Sequence, residues 1–399
     1  MRINNNAFQR NANISMVAQT IWRKPGISRI DIARELNLYR STVTNIIQTL
    51  IDAGVVYEAE EGEVTSLGGR RPILLRINER MGCVLGLELQ VDQFRAVLVD
   101  VYGTTLHQVE APIEPRPFPE LFADVVERMR PIIQSSALPL LGICAGIPGI
   151  VNVDNGTILR SDPFQLNHYP FAKEIGSTYP VPILIENDAN CCAWEELARH
   201  RDTPLQDFLC VLAEHHVRNA STNLGPGMGV GMALVLGGKL HYGKRYAAGE
   251  FTSVLWRPGD GSQFGMTFKE MARIQEDERI YRTFITELFE SLKPVVSVFD
   301  PEALFLHGDI CSRANLIEEI YNEQADGLKK VMDRVDCRLE LSSGGKSDVA
   351  HGAAAMFLGK LFSVPELSEV RGYARLDWDD IFALIASGPG GKNEHSAQR

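Results

Sequence analysis

Apolar positions in the first sixty residues repeat with a helical period. Ile14, Val17, Ala18, Ile21 and Trp22 fall at i, i+3, i+4, i+7 and i+8, one face of a helix, and Pro25-Gly26 ends it. Ser28-Arg29-Ile30-Asp31 has the form of a capping box and opens a short helix to about Leu36. After a tight connection at Asn37-Leu38-Tyr39, the pattern predicts a helix over 41–53. Its stripe is Val43, Ile46, Ile47 and Leu50, and Gly54 stops it. Strands at 55–57 and 73–77 around an acidic turn would complete a winged helix. From Cys83 the period becomes that of strands. Residues 84–90 and 94–101 form a hairpin, 181–185 a buried strand that leads into a helix from Ala189 to about His200. A second hairpin opens at 208–213, followed by a glycine-rich loop at 227–233 and a turn at Gly237-Gly238. Both halves begin alike, which predicts an α/β body of two duplicated lobes with a cleft between them.

The polar face of the 41–53 helix carries Arg40, Ser41, Thr42, Thr44, Asn45 and Gln48. Arginine pairs with guanine edges, asparagine and glutamine with adenine, and the threonine methyl with thymine. The arrangement reads as a helix-turn-helix with this element as recognition helix. Beyond the acidic wing tip, Gly69, Arg70 and Arg71 suit the narrow minor groove of A·T tracts. Glycine permits close approach there, and arginine is attracted by the groove's negative potential.

Charge sharpens this division. Of 399 residues, the first 57 carry a net +4 and the remainder −15, so a basic head sits on an acidic body. Only the head is suited to approach a polyanion. Length implies two or three domains, and 45% hydrophobic content with 23% charge excludes a disordered or fibrous chain. No apolar run nears the ~20 residues of a membrane span, and the N-terminus lacks a secretory pattern. Seven cysteines without C-x-x-C spacing argue against a disulfide or zinc framework, which places the protein in the cytoplasm. The adjacent Cys191-Cys192 reads as a pair of small buried hydrophobes.

Four motifs occur in order along the body: Gly146-Ile147-Pro148-Gly149-Ile150-Val151, Glu186-Asn187-Asp188-Ala189-Asn190, Gly229-Val230-Gly231-Met232-Ala233 and Ala247-Ala248-Gly249-Glu250. Together they resemble the ROK family of bacterial repressors and sugar kinases, which have an actin/hexokinase-like fold. The winged helix in front is similar to the repressor branch. The resemblance implies that Asp188 stands where the kinases hold their general base, and that Asn187 and Glu250 bond sugar hydroxyls. Capping of the helix that starts at Ala189 is an alternative role for Asp188.

Departures from the family pattern matter as much. The kinases hold ATP phosphates with an Asp-x-Gly-x-Thr turn, but the first hairpin here reads Glu88-Leu89-Gln90-Val91-Asp92. The second loop reads Gly227-Met228-Gly229 without a hydroxyl, and the adenosine loop falls at His307-Gly308-Asp309. Phosphoryl transfer depends on positioning and charge stabilisation, so these losses predict no kinase activity. The family's zinc cluster is also missing: Thr252-Ser253 replace its Gly-His, and residues 251–275 contain neither Cys nor His. No metal and no cofactor are expected.

The expected organisation is a winged helix over 1–80, a first lobe over 81–190, a second over 191–365 whose end returns to the first, and a C-terminal extension with flexible tail over 366–399. The expected function is a transcriptional regulator, read as a repressor of carbohydrate uptake or catabolism genes, that binds operator DNA as a homodimer or higher homo-oligomer and senses a monosaccharide or sugar derivative. Alternatives are an active sugar kinase with a DNA-binding arm, and a regulator controlled by a protein partner.

Overall fold

The computed structural model describes residues 5–61, 72–216, 226–258, 262–323, 326–364 and 376–388. In the head, the stripes read from the sequence all turn inward. Ile14, Val17, Ile21, Ile32, Val43, Ile47 and Leu50 are buried where α1 (Asn5–Arg23), α2 (Arg29–Glu35) and α3 (Arg40–Asp52) meet. The hydroxyl of Ser28 caps α2 by accepting from the Asp31 N–H. Three antiparallel strands, β1 (Ile27–Ser28), β2 (Val56–Glu61) and β3 (Ile73–Ile77), lie in the order β1-β3-β2 and make the wing. Gly69, Arg70 and Arg71 lie outside the described residues.

The first lobe is built on β4 (Cys83–Leu89), β5 (Gln93–Asp100), β6 (Thr105–Pro112), α4 (Phe118–Ser135) and β7 (Leu140–Ile147). It continues through the small sheet β8 (Ile150–Asn152), β9 (Thr157–Ser161) and β10 (Leu166–Tyr169), then α5 (Phe171–Glu174), β11 (Ile183–Asn187) and α6 (Asp188–Arg199). The second lobe starts with β12 (Phe208–His216), β13 (Gly227–Leu236) and β14 (Lys239–Leu240), followed by α7 (Phe268–Met271), α8 (Glu278–Phe299) and β15 (Ala303–His307). Next come α9 (Ala314–Glu323), α10 (Leu328–Val335), β16 (Arg338–Leu341) and α11 (Asp348–Leu361). The main sheets run β11-β7-β4-β5-β6 and β14-β13-β12-β15-β16. In each, the first strand is central, pairs antiparallel with the second and parallel with the fourth. The duplication expected from the hairpins is therefore present. Gly227-Met228-Gly229, read as part of a loop, instead lies within β13, paired with the end of β12.

The lobes meet through α6 and α11, and small side chains allow close packing. A Cβ on Gly352 would sit 1.7 Å from the Cys191 carbonyl oxygen, so only glycine fits. Cys191 and Cys192 are buried in this contact, and burial pushes both thiols up in pKa.

The head is fastened to the body by two tryptophans. Trp22, at the end of α1, donates its indole N–H to the Val101 carbonyl (2.8 Å) and stacks on Phe362 at 4.7 Å. The extension expected to end in a loose tail contains α12 (Trp378–Ser387), an ordered helix that packs on α1. Trp378 is buried, its indole N–H donates to Ser15 (3.0 Å), and Asp379 pairs with Arg10 (3.0 Å). One continuous apolar core runs from Ile14 and Ile47 through Leu141 and Met356 to Ile381. Among the described residues, no helix is long and apolar enough to cross a membrane.

Candidate functional site

Two surfaces carry candidate chemistry. On α3, burial of Val43, Ile47 and Leu50 turns Arg40, Ser41, Thr44, Asn45 and Gln48 to solvent, with Thr42 half-buried. Thr44 donates its hydroxyl to the Arg40 carbonyl (2.8 Å), so that hydroxyl is already engaged. Gln48 donates to Asp52 (2.8 Å), so part of its amide is already engaged. Tyr39, the residue before α3, is 84% exposed and was passed over in the sequence as part of a connection. Its position at the start of an exposed helix is the signal that could have marked it.

Pairing reduces the head's excess of positive charge. Arg10, Lys24, Arg29 and Arg34 form ion pairs with Asp379, Glu35, Glu58 and Asp31. Arg40 has no ion pair among the described residues, which leaves it as the available cation at the start of α3.

The second surface is the cleft between the lobes, a cavity of about 310 Å³. At the end of β11 the chain turns into α6, and Asn187, not Asp188, is the cap. Its backbone is extended (φ −68°, ψ 145°) and its side-chain oxygen accepts from the Asn190 N–H (3.0 Å). The Asn187 amide also donates to the Gly149 carbonyl (2.9 Å) and to Asp188 (2.8 Å). Both donor hydrogens are thus engaged, and Asn187 lines the cleft mainly as a positioning group. Glu186 is fully buried, accepting from Asn187 N–H, Asn190 and the Tyr242 hydroxyl. It anchors the turn from beneath.

Asp188 therefore occupies the first turn of α6 and faces the cleft. Burial pushes its carboxyl up to about 8. Glu214 and Glu250 push the same way, and the Ala189 N–H opposes them. At neutral pH the protonated acid is favoured, a group that can donate as well as accept. Gly231 on β13 passes so close that a Cβ there would meet Ala189 at 3.1 Å. Glu250 stands across the cleft, also raised by burial and lowered by Arg160. Gly249 before it has φ +92°, and a Cβ would lie 1.9 Å from the Met232 oxygen. Arg160 and Asp162, paired at 2.8 Å, complete the mouth. No motif marks either residue.

Behind Asp188, the region where the family resemblance expects a phosphate turn holds a buried polar cluster. Arg95 on β5 donates to Glu88 (2.7 Å) and across the lobes to Glu214 (3.1 Å). Gln90 donates to the same two carboxylates, at 3.3 and 2.8 Å. All four side chains are buried. The hairpin's Gln90 therefore fills this space and bridges the lobes. An arginine within the apolar run Phe94-Arg95-Ala96-Val97 demanded a buried carboxylate, and that signal was there to use.

The other two expected nucleotide segments are also engaged elsewhere. A Cβ on Gly229 would lie 2.5 Å from the His216 ring, and Asp309 accepts from the His215 N–H (2.9 Å). Ser253 is turned away from the cleft, bonded to Glu287 on α8. Gln263 ties the following segment down by its amide, bonding Val230 N–H and the Val230 and Phe251 carbonyls. Among the described residues, no group of three or more His, Cys, Asp or Glu is arranged to hold a metal ion.

The family model described as "ROK family" matches residues 84–258, and one described as "Winged helix-turn-helix DNA-binding" matches residues 19–57. The chain is similar to the xylose repressor of Lactiplantibacillus pentosus, 26% identical over 382 residues, covering 87% of this chain and 94% of the relative. It is also similar to the beta-glucoside kinase of Listeria innocua, 29% identical over 221 residues, covering 47% of this chain and 71% of the kinase. In fold it resembles the crystal structure of a ROK family transcriptional regulator, a homologue of the E. coli MLC protein. The TM-score is 0.71 at 19% identity, over 94% of this chain and 100% of that one.

Proposed function

We propose that this chain, a member of the ROK family with a winged helix-turn-helix in front of the family domain, is a transcriptional repressor that senses a sugar without phosphorylating it. The observation that carries the reading is the Glu88–Gln90–Arg95–Glu214 cluster. It ties two carboxylates to two side-chain donors at the hairpin where the family resemblance expects the phosphate turn. Phosphoryl transfer relies on donors and cations aimed at the phosphate oxygens, and here those donors are used internally.

In this reading α3 enters the major groove. Arg40 and Asn45 read base edges, the Thr44 methyl meets thymine, and Ser41, Thr42 and Gln48 fix the register. Gly69, Arg70 and Arg71 are assigned to the adjacent minor groove. In the cleft, Asp188 and Glu250 bond sugar hydroxyls while Asn187 holds the turn. The relatives' name makes xylose the first sugar to test. One winged helix offers few base contacts, so a homodimer on a two-fold operator is the working unit. Sugar binding releases DNA only through different affinities for the two lobe arrangements.

The test is fluorescence anisotropy of the full chain with DNA from upstream of its own gene. Salt is controlled, random DNA competes, and monosaccharides are added in turn. Specific binding that one sugar changes about tenfold or more supports the regulator, tenfold being ~1.4 kcal/mol. Specific binding indifferent to every sugar moves the signal to a protein partner. The similarity to a kinase and the retained Asp188 keep a second reading in view, an active sugar kinase. ADP formation with any sugar of the panel would establish it.

A further inference from the structure

A second polar–aromatic space among the described residues lies outside the interlobe cleft. It is a cavity of about 520 Å³ between α1 of the head and the body. Its walls come from α1, the β5–β6 turn, the end of α6 and α11. Trp22, Tyr102 and Trp194 supply aromatic surface, while Arg23, Arg199 and Arg201 supply charge. Folded interiors seldom leave voids much larger than a water molecule, and this volume is within the range of small-ligand sites.

The state of the three arginines defines what would fit. Arg199 is engaged, with Glu195 at 3.1 Å and Ser343 at 2.7 Å. Arg201 lies 4.4 Å over the Trp22 ring and 6.0 Å from the Tyr102 ring centroid. Among the described residues it has no carboxylate in ion-pair range, and the same is true of Arg23. A guanidinium held by its face on an aromatic ring keeps its N–H donors at the edge, where they suit a carboxylate or phosphate. Glu195 is the one acidic side chain in the wall, and Arg199 already neutralises it.

We propose that this cavity is a second ligand site, taking a small organic anion with an aromatic or sugar-like body. Arg201 is the principal anion contact, Arg23 the second, and Tyr102 and Trp194 hold the body.

The position gives such a ligand leverage. It would touch α1 near Trp22, the residue that fastens the head. α6 begins at Asp188 in the cleft and ends at Arg199 in this cavity, a rod of about 18 Å for twelve residues. The two sites are thus ends of one helix, and coupling between them must be reciprocal. That effect on DNA rests on the regulator reading. Binding itself does not.

Isothermal titration of the full chain tests it, with benzoate and ribose 5-phosphate as the two anionic arms. Benzamide serves as a neutral shape control and inorganic phosphate as an anion without a body. The expected result is that benzoate or ribose 5-phosphate binds at least about tenfold more tightly than both controls. Arg201→Gln should weaken binding by a similar factor. So should Ala198→Trp, which fills the cavity from an exposed helix position without removing charge. Asp188→Asn, in the cleft, should leave it unchanged. Preference for one arm tells a carboxylate ligand from a phosphate ligand. Failure of both anions to bind, equal binding of benzamide, or loss of binding in Asp188→Asn alone would overturn the proposal. Operator titration with the better anion is then read separately. A bound anion with no shift leaves the site standing and removes only its control of DNA.

Discussion

Replacing Arg95 by methionine removes the one cation that Glu88 and Glu214 share. Arg95 is 3% exposed, and its contacts at 2.7 and 3.1 Å leave no room for bulk water to replace it. Stranding a buried charge in this way costs about 3–5 kcal/mol. Melting entropy is about 2.1 cal/mol/K per residue, so a 399-residue chain unfolding as one unit loses roughly 4–6 °C in Tm. The penalty must depend on pH. Burial, with Glu214 as a neighbour, already pushes Glu88 well above its usual range, and burial pushes Glu214 the same way. Between their unfolded and folded pKa values these groups retain protons in the folded chain that the unfolded chain releases. Their contribution is intact below the ordinary carboxylate pKa and lost as pH rises through the folded values. Without Arg95 the folded values rise further, so the variant's deficit should be largest near pH 8 and shrink near pH 5. Scanning calorimetry at both pH values measures this. Combining Arg95→Met with Glu88→Leu and Glu214→Leu should recover most of the loss, because the stranded charges go too. A single variant melting within about 1 °C of the parent at pH 8, or losing more at pH 5, would refute the reasoning.

Asn45→Ala should cut discrimination between operator and random DNA by ~1–3 kcal/mol in competition anisotropy, and equal weakening on both DNAs denies it a base contact. Asp188→Asn should abolish the sugar response while operator affinity holds; an unchanged response puts the sensor elsewhere. The same variant carries a pH signature. Asp188 is raised from 3.8 to about 8, so the stability due to its retained proton is complete below its unfolded value and lost as pH rises through about 8. The variant's Tm relative to the parent should therefore climb between pH 6 and pH 9, and a flat difference contradicts the raised carboxyl. Trp378→Ala leaves a cavity against α1 and breaks the bond to Ser15, costing about 3–5 kcal/mol. Hydrogen exchange should show lost protection in α1, and unchanged protection there means that α12 does not hold the head.

What the sequence made legible follows the range of the interactions. The α3 stripe and its polar face are properties of thirteen consecutive residues, and they were read within one residue of the observed Arg40–Asp52. The hairpins that open each lobe are equally local. The cap offered as the alternative role of Asp188 falls to Asn187 instead, although both are good caps by type. Only the extended backbone at Asn187 separates them. Glu88 and Gln90 depart from the phosphate turn, but the bonds of Gln90 and Arg95 to Glu214 join residues 124 and 119 positions apart, which no local pattern encodes. The Gly227-Met228-Gly229 run looked like a loop because glycine is rare in strands. Its glycines are there to clear His216 and Met271.

The contact between α1 and α12 joins segments far apart in the chain, with Asn11 and Ser15 meeting Trp378 across more than 360 residues. Synthesis delivers α1 more than 350 residues before the surface of α12 that covers it. During most of its synthesis the nascent chain therefore carries an α1 with part of its apolar face uncovered. A prematurely terminated product lacks the segment that secures its reader. On the regulator reading, a fragment that has lost part of the sensing body also lacks the helix that steadies the head, and its grip on DNA should be weaker for that reason.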